Sequence, residues 1–590
     1  MNNKRLVGFL AIIAALGFLG LCAVVMLSYF GGFGTGSVPG KILLEADFER
    51  TIEEYVAEEP LSKAFGGEEL TTRDVVDALD RAAKDDRVVG LVARVGAAPM
   101  GLAQIQEIRD AVRRFRAAGK PAVAWGETFG EFGAGNGAYY LASAFDTIYL
   151  QPSGDVGLTG LMYESPFVRS MLDKLDVVPR MDHRYEYKNA MNMYTEKKFT
   201  DPHREAMKVL MDSQFGQIVQ GIAEGRKLAA DKVRATFDAG PYLGQQAVDA
   251  KLVDGLLYRD QVYDKVKKEA GEGAKLLYLD KYLERAGRPH AKGAKIALIY
   301  GVGAVQRGGG GFSPLTGSAM GSDTVSQALR AAREDDDVKA IVFRVDSPGG
   351  SYVASDTIWR ETQLCRAAGK PVIVTMGNLA GSGGYFVAMG ADKIVAQPGT
   401  ITASIGVLGG KLLTRGFWDR LGITWDEVHT SANGTMFTGT SDYTPQEWDK
   451  FQQWLDRVYV DFTSKVAQGR NLPKEKVLQI AKGRIWTGED AKGLGLIDAL
   501  GGFDVALGLA KEAAKIPKDQ EVNVVLFPKK KTLLEMLSRE TPENSENEAA
   551  LRLVVEVARE LRPAIAVLRQ LGLDARPPGV LSMPPVVSEP

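Results

Sequence analysis

The stretch TMGNLAGSGGYFVAMGADKIVAQPGTITASIGV, residues 375–407, decides how the rest of the chain is read. The apolar run at 371–375 just before it has the composition of a buried strand. Small residues then surround Ser382, the pattern turns helical over 383–389, and a second strand pattern covers 393–396 before a second serine, Ser404. A serine between glycines, where a strand hands over to a helix, is exposed at a tight turn with a helix N-terminus behind it. Backbone N–H groups at such a turn can stabilise an oxyanion, which suits a nucleophile. The same serine can equally serve only as a helix cap.

The chain around this stretch has 590 residues, 45% of them hydrophobic and 25% charged, enough for several ordinary globular domains. The 72 basic and 74 acidic residues leave a net charge of −2, which argues against a nucleic-acid-binding surface. Residues 6–30 form a nearly unbroken apolar run without a charge, preceded by Lys4 and Arg5. Its 25 residues can span a bilayer and exceed the core of a cleavable signal peptide. The two basic residues keep residues 1–5 on the cytoplasmic side and place the bulk of the chain in the periplasm or outside the cell. Of the two cysteines, Cys22 falls within that run, so a disulfide with Cys365 is not expected. The four histidines show no metal-binding spacing, and no metal or other cofactor is expected.

After a glycine-rich linker at 31–40, the chain says the same thing twice. KILLEADF (41–48) corresponds to KIALIYGV (295–302), LVARVG (91–96) to IVFRVD (341–346), and RAAGKPAVAW (116–125) to RAAGKPVIVT (366–375). GNGAYYLASAFDTIYLQP (135–152) matches GSGGYFVAMGADKIVAQP (381–398), and LGQQAVDAKLVDGL (243–256) matches TGEDAKGLGLIDAL (487–500). A period of about 250 residues is too long for a solenoid and marks a domain duplication, 41–290 and 295–528. Each copy alternates β-rich runs with helical stretches, which predicts α/β domains with largely parallel strands. Residues 287–293 are a polar break, and the glycine run 308–311 with residues 312–321 reads as a mobile loop. Beyond 529 come a basic cluster, an amphipathic helix pattern over 549–571, and a proline-rich tail at 576–590 that reads as disordered.

The two copies differ where chemistry would sit. Ser382 of the second is Asn136 in the first, and SPGG (347–350) is APMG (98–101). Conversely, the first copy carries YEYKNAM (185–191), whereas SANGTM (431–436) has no lysine. Either the copies divide the chemistry, one supplying a lysine and the other a serine and its turn, or the differences are drift.

RVDSPGGS (344–351), AGSGGY (380–385), TASIGV (402–407) and YKNA (187–190) together resemble the long-form bacterial signal peptide peptidase A (protease IV) family of the Clp-protease/crotonase superfamily. The resemblance spans roughly residues 41–526 and includes the duplication. It implies a tandem Clp-protease/crotonase-like fold behind an N-terminal transmembrane helix. It further implies a membrane-anchored serine endopeptidase that degrades cleaved signal peptides and other unstructured hydrophobic peptides, working as a homotetramer on the inner membrane. Laid onto this sequence, the family pattern makes Ser382 the nucleophile and Lys188 the general base, with Ser404 orienting the lysine. The backbone N–H groups of Gly383 and of Gly349 or Gly350 would form the oxyanion hole.

A solvated lysine, with a pKa of about 10.4, is protonated and useless as a base at neutral pH. Burial away from carboxylates can lower that value by several units, provided Glu186 points away. Other assignments remain on the sequence alone. Ser404 could be the nucleophile and Ser382 the cap, or one of His183, His203, His290 and His429 could serve a conventional triad. A crotonase-like enzyme acting on CoA thioesters would want a carboxylate in the pocket and no anchor. A membrane scaffold descended from a peptidase would need neither serine.

Overall fold

The computed structural model describes residues 37–56, 70–97, 99–313, 317–528 and 580–582. The apolar segment at 6–30, most of the 31–40 linker, and the basic cluster and helix pattern beyond 529 lie outside the described residues, as does the proline-rich tail apart from Val580–Ser582. That tail reads as disordered by composition, yet Val580–Ser582 is a strand paired antiparallel with Gly349–Ser351. Among the described residues, no helix is long and apolar enough to cross a membrane.

Each copy folds around a sheet in which six parallel strands take the same spatial order; the second copy's sheet adds Ile401–Ala403 and, antiparallel to it, Ile485–Thr487. In the first the shared order is Gly255–Leu256, Thr147–Leu150, Ala122–Gly126, Val88–Arg94, Ile42–Asp47 and Lys275–Tyr278. In the second it is Ala499–Leu500, Lys393–Ala396, Val372–Gly381, Val338–Ser347, Ala294–Val302 and Val522–Leu526. Even the irregularity repeats. Pairing with the neighbouring strand skips Val89 in the first copy and Lys339 in the second. The register makes Leu44 the equivalent of Ala297, since they face the matched residues Leu91 and Ile341. That is one residue off the sequence match of 41–48 with 295–302. Strands buried on both faces lack the polar alternation that would have fixed the alignment.

Both faces of each sheet are covered, as parallel strands require. In the first copy, Thr72–Ala83 and Leu102–Ala117 cover one face, and Arg259–Ala270 seals the other through Val262, Tyr263 and Val266. In the second copy, Ser322–Glu334, Tyr352–Ala367 and Pro445–Arg470 cover one face, while Phe503, Ala506, Leu507 and Ala510 cover the other. A 26-residue helix recurs in both copies, Asp201–Arg226 and Pro445–Arg470, each started by a threonine cap with proline in its first turn.

The glycine run and the residues after it depart from the expected mobile loop. Gly311–Ser313 and Gly317–Gly321 form a hairpin, and the second of these pairs parallel with Ala304–Gln306. Glycine is compatible with strand pairing when a neighbouring backbone comes close. A Cβ on Gly310 would stand 2.3 Å from the Gly321 nitrogen.

Two sets of contacts lock the copies together. Val178–Arg184 of the first pairs antiparallel with Val407–Leu413 of the second, Arg184 facing Val407. Deeper in, Arg344 of the RVDSPGGS motif is buried between Glu54 (2.6 Å) and Glu107 (2.8 Å) of the first copy. Glu107 also accepts the Phe503 N–H. A buried guanidinium needs such partners, so the motif's arginine fixes the strand that leads into SPGG rather than facing a substrate.

Candidate active site

The Val372–Gly381 strand is extended past its first-copy counterpart, and its last residues pair with Ile401–Ala403. This carries Ser382 and Ser404 to the ends of two adjacent strands. At Ser382 the backbone turns sharply into the Gly383–Ala388 helix, with φ 53° and ψ −114°. Ala403 and Ser404 also have positive φ, 67° and 53°. Such conformations are costly for residues with a Cβ and persist only where the surroundings enforce them. Here the Ser382 N–H donates to Ala403 O (2.7 Å) and the Ser404 N–H to Arg484 O (2.9 Å). The Ser382 side chain does not cap its helix.

It meets Lys188 instead. The antiparallel pairing of Val178–Arg184 with Val407–Leu413 delivers the 185–191 segment of the first copy to this turn. Lys188 Nζ lies 2.9 Å from Ser382 Oγ, 3.0 Å from Ser404 Oγ and 3.0 Å from the Ser404 carbonyl oxygen. All three residues are wholly buried. Burial disfavours the ammonium and pushes Lys188 down to about 7. Glu186, two residues away, is turned aside and pairs with Lys482 at 2.8 Å.

A neutral amine has two N–H donors and one lone pair. Three oxygen neighbours match that inventory: with the two Ser404 oxygens accepting the N–H groups, the lone pair of a neutral amine faces Ser382 Oγ. Segment 482–484 holds the lysine in place, a contribution that the sequence reading missed. The Tyr187 N–H donates to Lys482 O (3.1 Å). Gly483 (φ 83°) packs so closely that a Cβ there would stand 2.5 Å from Lys188 Cβ. The Arg484 guanidinium lies over the Tyr187 ring and pairs with Glu205, which accepts the Tyr187 hydroxyl.

The SPGG turn faces the same point. A Cβ on Gly383 would stand 3.0 Å from the Gly350 nitrogen, 3.2 Å from Gly349 Cα and 2.7 Å from Ser355 Oγ, so only glycine fits there. The Gly349 N–H is already engaged with Ser347 Oγ at 3.1 Å.

The first copy's equivalents lead elsewhere. Buried Asn136 accepts the N–H groups of Thr159 and Gly160 and donates to Gly160 O, tying down its own loop. Gly101 of APMG packs against Asn378, where a Cβ would stand 2.2 Å away. Ala98 lies outside the described residues. None of the histidines is hydrogen-bonded to either serine among the described residues. His203 sits buried among Tyr163, Phe167 and Phe199, which hold its pKa down at about 4 by desolvation. His429 Nδ1 lies 2.8 Å from Ser431 O, and His183 faces Leu408 across the strand pair.

The family model "Peptidase family S49" matches the chain twice, over residues 114–272 and 365–517, once in each copy. The chain belongs to peptidase family S49. Its relatives include Protease 4 of Salmonella typhi, 34% identical over 459 residues that cover 75% of this chain and 72% of that one. Protease 4 of Haemophilus influenzae is 31% identical, with 77% and 74% covered. The chloroplastic serine protease SPPA of Arabidopsis thaliana is 30% identical, with 77% and 67% covered. Like this chain, an S49 protein with two matches carries the family unit in duplicate, the long form expected from the internal repeat.

Proposed function

We propose that this S49 peptidase cuts peptide bonds with a Ser382–Lys188 dyad assembled from its two copies. The reading is carried by one observation: the buried amine of Lys188, pushed down to about 7, stands 2.9 Å from Ser382 Oγ. In the neutral state the amine takes the hydroxyl proton as Oγ attacks the scissile carbonyl. Ser404 holds the amine through both of its oxygens, which fixes the lone pair on Ser382. The developing oxyanion is received by the N–H groups of Gly383 and Gly350, since that of Gly349 is spent on Ser347. The ammonium of Lys188 then returns its proton to the leaving amine, giving an acyl-enzyme, and the neutral lysine activates water for the second half.

A crotonase-like reading gains no support, because among the described residues the groups hydrogen-bonded to Lys188 Nζ are the oxygens of Ser382 and Ser404, not a carboxylate. We further propose that the substrates are cleaved signal peptides and other unstructured apolar peptides. This rests on the family resemblance and on the apolar run at 6–30, which would anchor the chain in the inner membrane with its bulk in the periplasm. Assembly as a homotetramer belongs to the same reading. The test is hydrolysis of an uncharged, unstructured peptide by the full chain in detergent. Activity is expected, with loss of at least about a thousandfold in Ser382→Ala; unchanged turnover in that variant would overturn the assignment.

A further inference from the structure

The two copies differ at a further place beside the site. Ile485–Thr487 of the second copy pairs antiparallel with Ile401–Ala403, as Tyr242–Leu243 of the first pairs with Asp155–Val156. Trp486 faces Thr402 and Tyr242 faces the matched Val156, so Arg484 occupies the position that Gly240 holds in the first copy. Gly240 has no room for a side chain, since a Cβ there would stand 1.9 Å from Leu158 O. Leu158, the match of Ser404, donates its N–H to Val156 O (3.0 Å). The Ser404 N–H goes instead to Arg484 O (2.9 Å), and Ser404 takes its positive φ of 53°.

The arginine acts in two directions. Its carbonyl holds the Ser404 turn, while its side chain crosses into the first copy. The guanidinium carbon lies 4.7 Å from the centre of the Tyr187 ring and 4.4 Å from that of the Trp486 ring. The same group pairs with Glu205 at 2.9 Å, near the start of the Asp201–Arg226 helix. Glu205 in turn accepts the Tyr187 hydroxyl at 2.7 Å. Tyr187 directly precedes Lys188. One residue therefore grips, by its main chain, the serine that bonds the amine and, by its side chain, the segment that carries the amine. A stacked and paired guanidinium makes a stiff link that a flexible ammonium does not reproduce.

We propose that Arg484 is a positioning residue of the dyad, tying the lysine arm of the first copy to the Ser404 turn of the second so that the amine meets both serines. The proposal rests on the peptidase reading above. Arg484 acts through Tyr187 and Ser404 rather than on the reacting atoms, and burial, not its charge, is what lowers Lys188. The charged groups around the lysine arm are engaged with one another: Glu186 with Lys482, Glu205 with Arg484, and Arg184 with Asp456. Burial holds His183 below the usual imidazole range, and the Tyr459 hydroxyl accepts the Lys482 N–H. Loosening the link lets the amine drift from Ser382 and lets water reach it. A drift of about 1 Å is enough to slow turnover, and hydration returns the amine toward the ordinary lysine range.

The test is Arg484→Met, which keeps an apolar stem between the two rings and removes the guanidinium. Hydrolysis of an uncharged fluorogenic peptide, followed from pH 6 to 10, should show kcat about ten- to a hundredfold lower with KM little changed. The rising limb of kcat/KM should move up by about one pH unit. Glu205→Gln, at a half-exposed position, should move the limb the same way by less, and combining it with Arg484→Met should cost nothing further, because both act through one link. A limb left in place in either variant would mean that the arginine only supports the fold, and would overturn the proposal. Losses that multiply in the double variant would overturn it too. A readout without turnover separates this outcome from failure of the peptidase reading. Urea unfolding of chains with and without Lys188→Met gives the pH at which the folded lysine takes up its proton. That midpoint should lie about one pH unit higher in the Arg484→Met background than in the parent. Equal midpoints refute the link whether or not the enzyme cuts peptides.

Discussion

Replacing Lys188 with methionine keeps the length of the side chain and removes the amine, and the structure says what this does to stability. Burial lowers the lysine from 10.5 to about 7. Between those values the unfolded chain holds a proton that the folded chain does not, so folding gains stability as pH rises through the window and loses it as pH falls. At about 1.4 kcal/mol per pH unit, the parent carries a penalty of about 4 kcal/mol at pH 7 that is absent above 10.5. Lys188→Met removes that penalty. It also leaves the two Ser404 oxygens without their donor, at about 1–3 kcal/mol each. The net change at any one pH is therefore a small difference of similar terms, and the slope is the discriminating quantity. Urea unfolding of parent and variant at steps from pH 7 to 10 should show their stabilities diverging by about 1.4 kcal/mol per unit as pH falls, in favour of methionine. Other titrating groups are common to both chains and cancel. Parallel curves would mean that Lys188 is charged in the fold, and the reasoning fails.

Two further outcomes follow from the same geometry. Gly383→Ala would push a methyl group against Ser355 Oγ and the Gly350 nitrogen, so kcat should fall about a hundred- to a thousandfold with KM little changed, measured by peptide hydrolysis. Restoring a serine to the first copy, Asn136→Ser in a Ser382→Ala background, should give no activity, because the lysine is delivered to the second copy's turn; turnover above the Ser382→Ala level would contradict that.

Much of this site was legible in the chain because a duplication supplies its own comparison. The serine-to-asparagine exchange between GSGGYF and GNGAYY, and the lysine present in only one copy, marked the two halves that the fold brings together. The strand–turn–helix reading around Ser382 held for a local reason: small residues and a short apolar run constrain the backbone over a few positions. What stayed hidden was set by contacts between distant segments. Gly483 is one glycine among 66, and only its packing against Lys188 shows why it must be one. Nothing in the sequence indicates that Ser347 takes up the Gly349 N–H, or that Arg344 is buried between two carboxylates of the other copy. The glycine-rich run after 307 reads as a loop by composition, yet close backbone approach makes it a hairpin. The tail strand is too short, and too closely bracketed by proline, to leave any periodic signal.

The account stands on a neutral Lys188 activating Ser382, and labelling by a serine-reactive phosphonate across pH reads that pair without needing a known substrate. We expect modification at Ser382, with a rate that rises through a single ionisation near pH 7 as the amine loses its proton and levels off above it. Labelling should vanish in Lys188→Ala. Modification at Ser404, or labelling of Ser382 that persists with the same pH profile when Lys188 is gone, would contradict it.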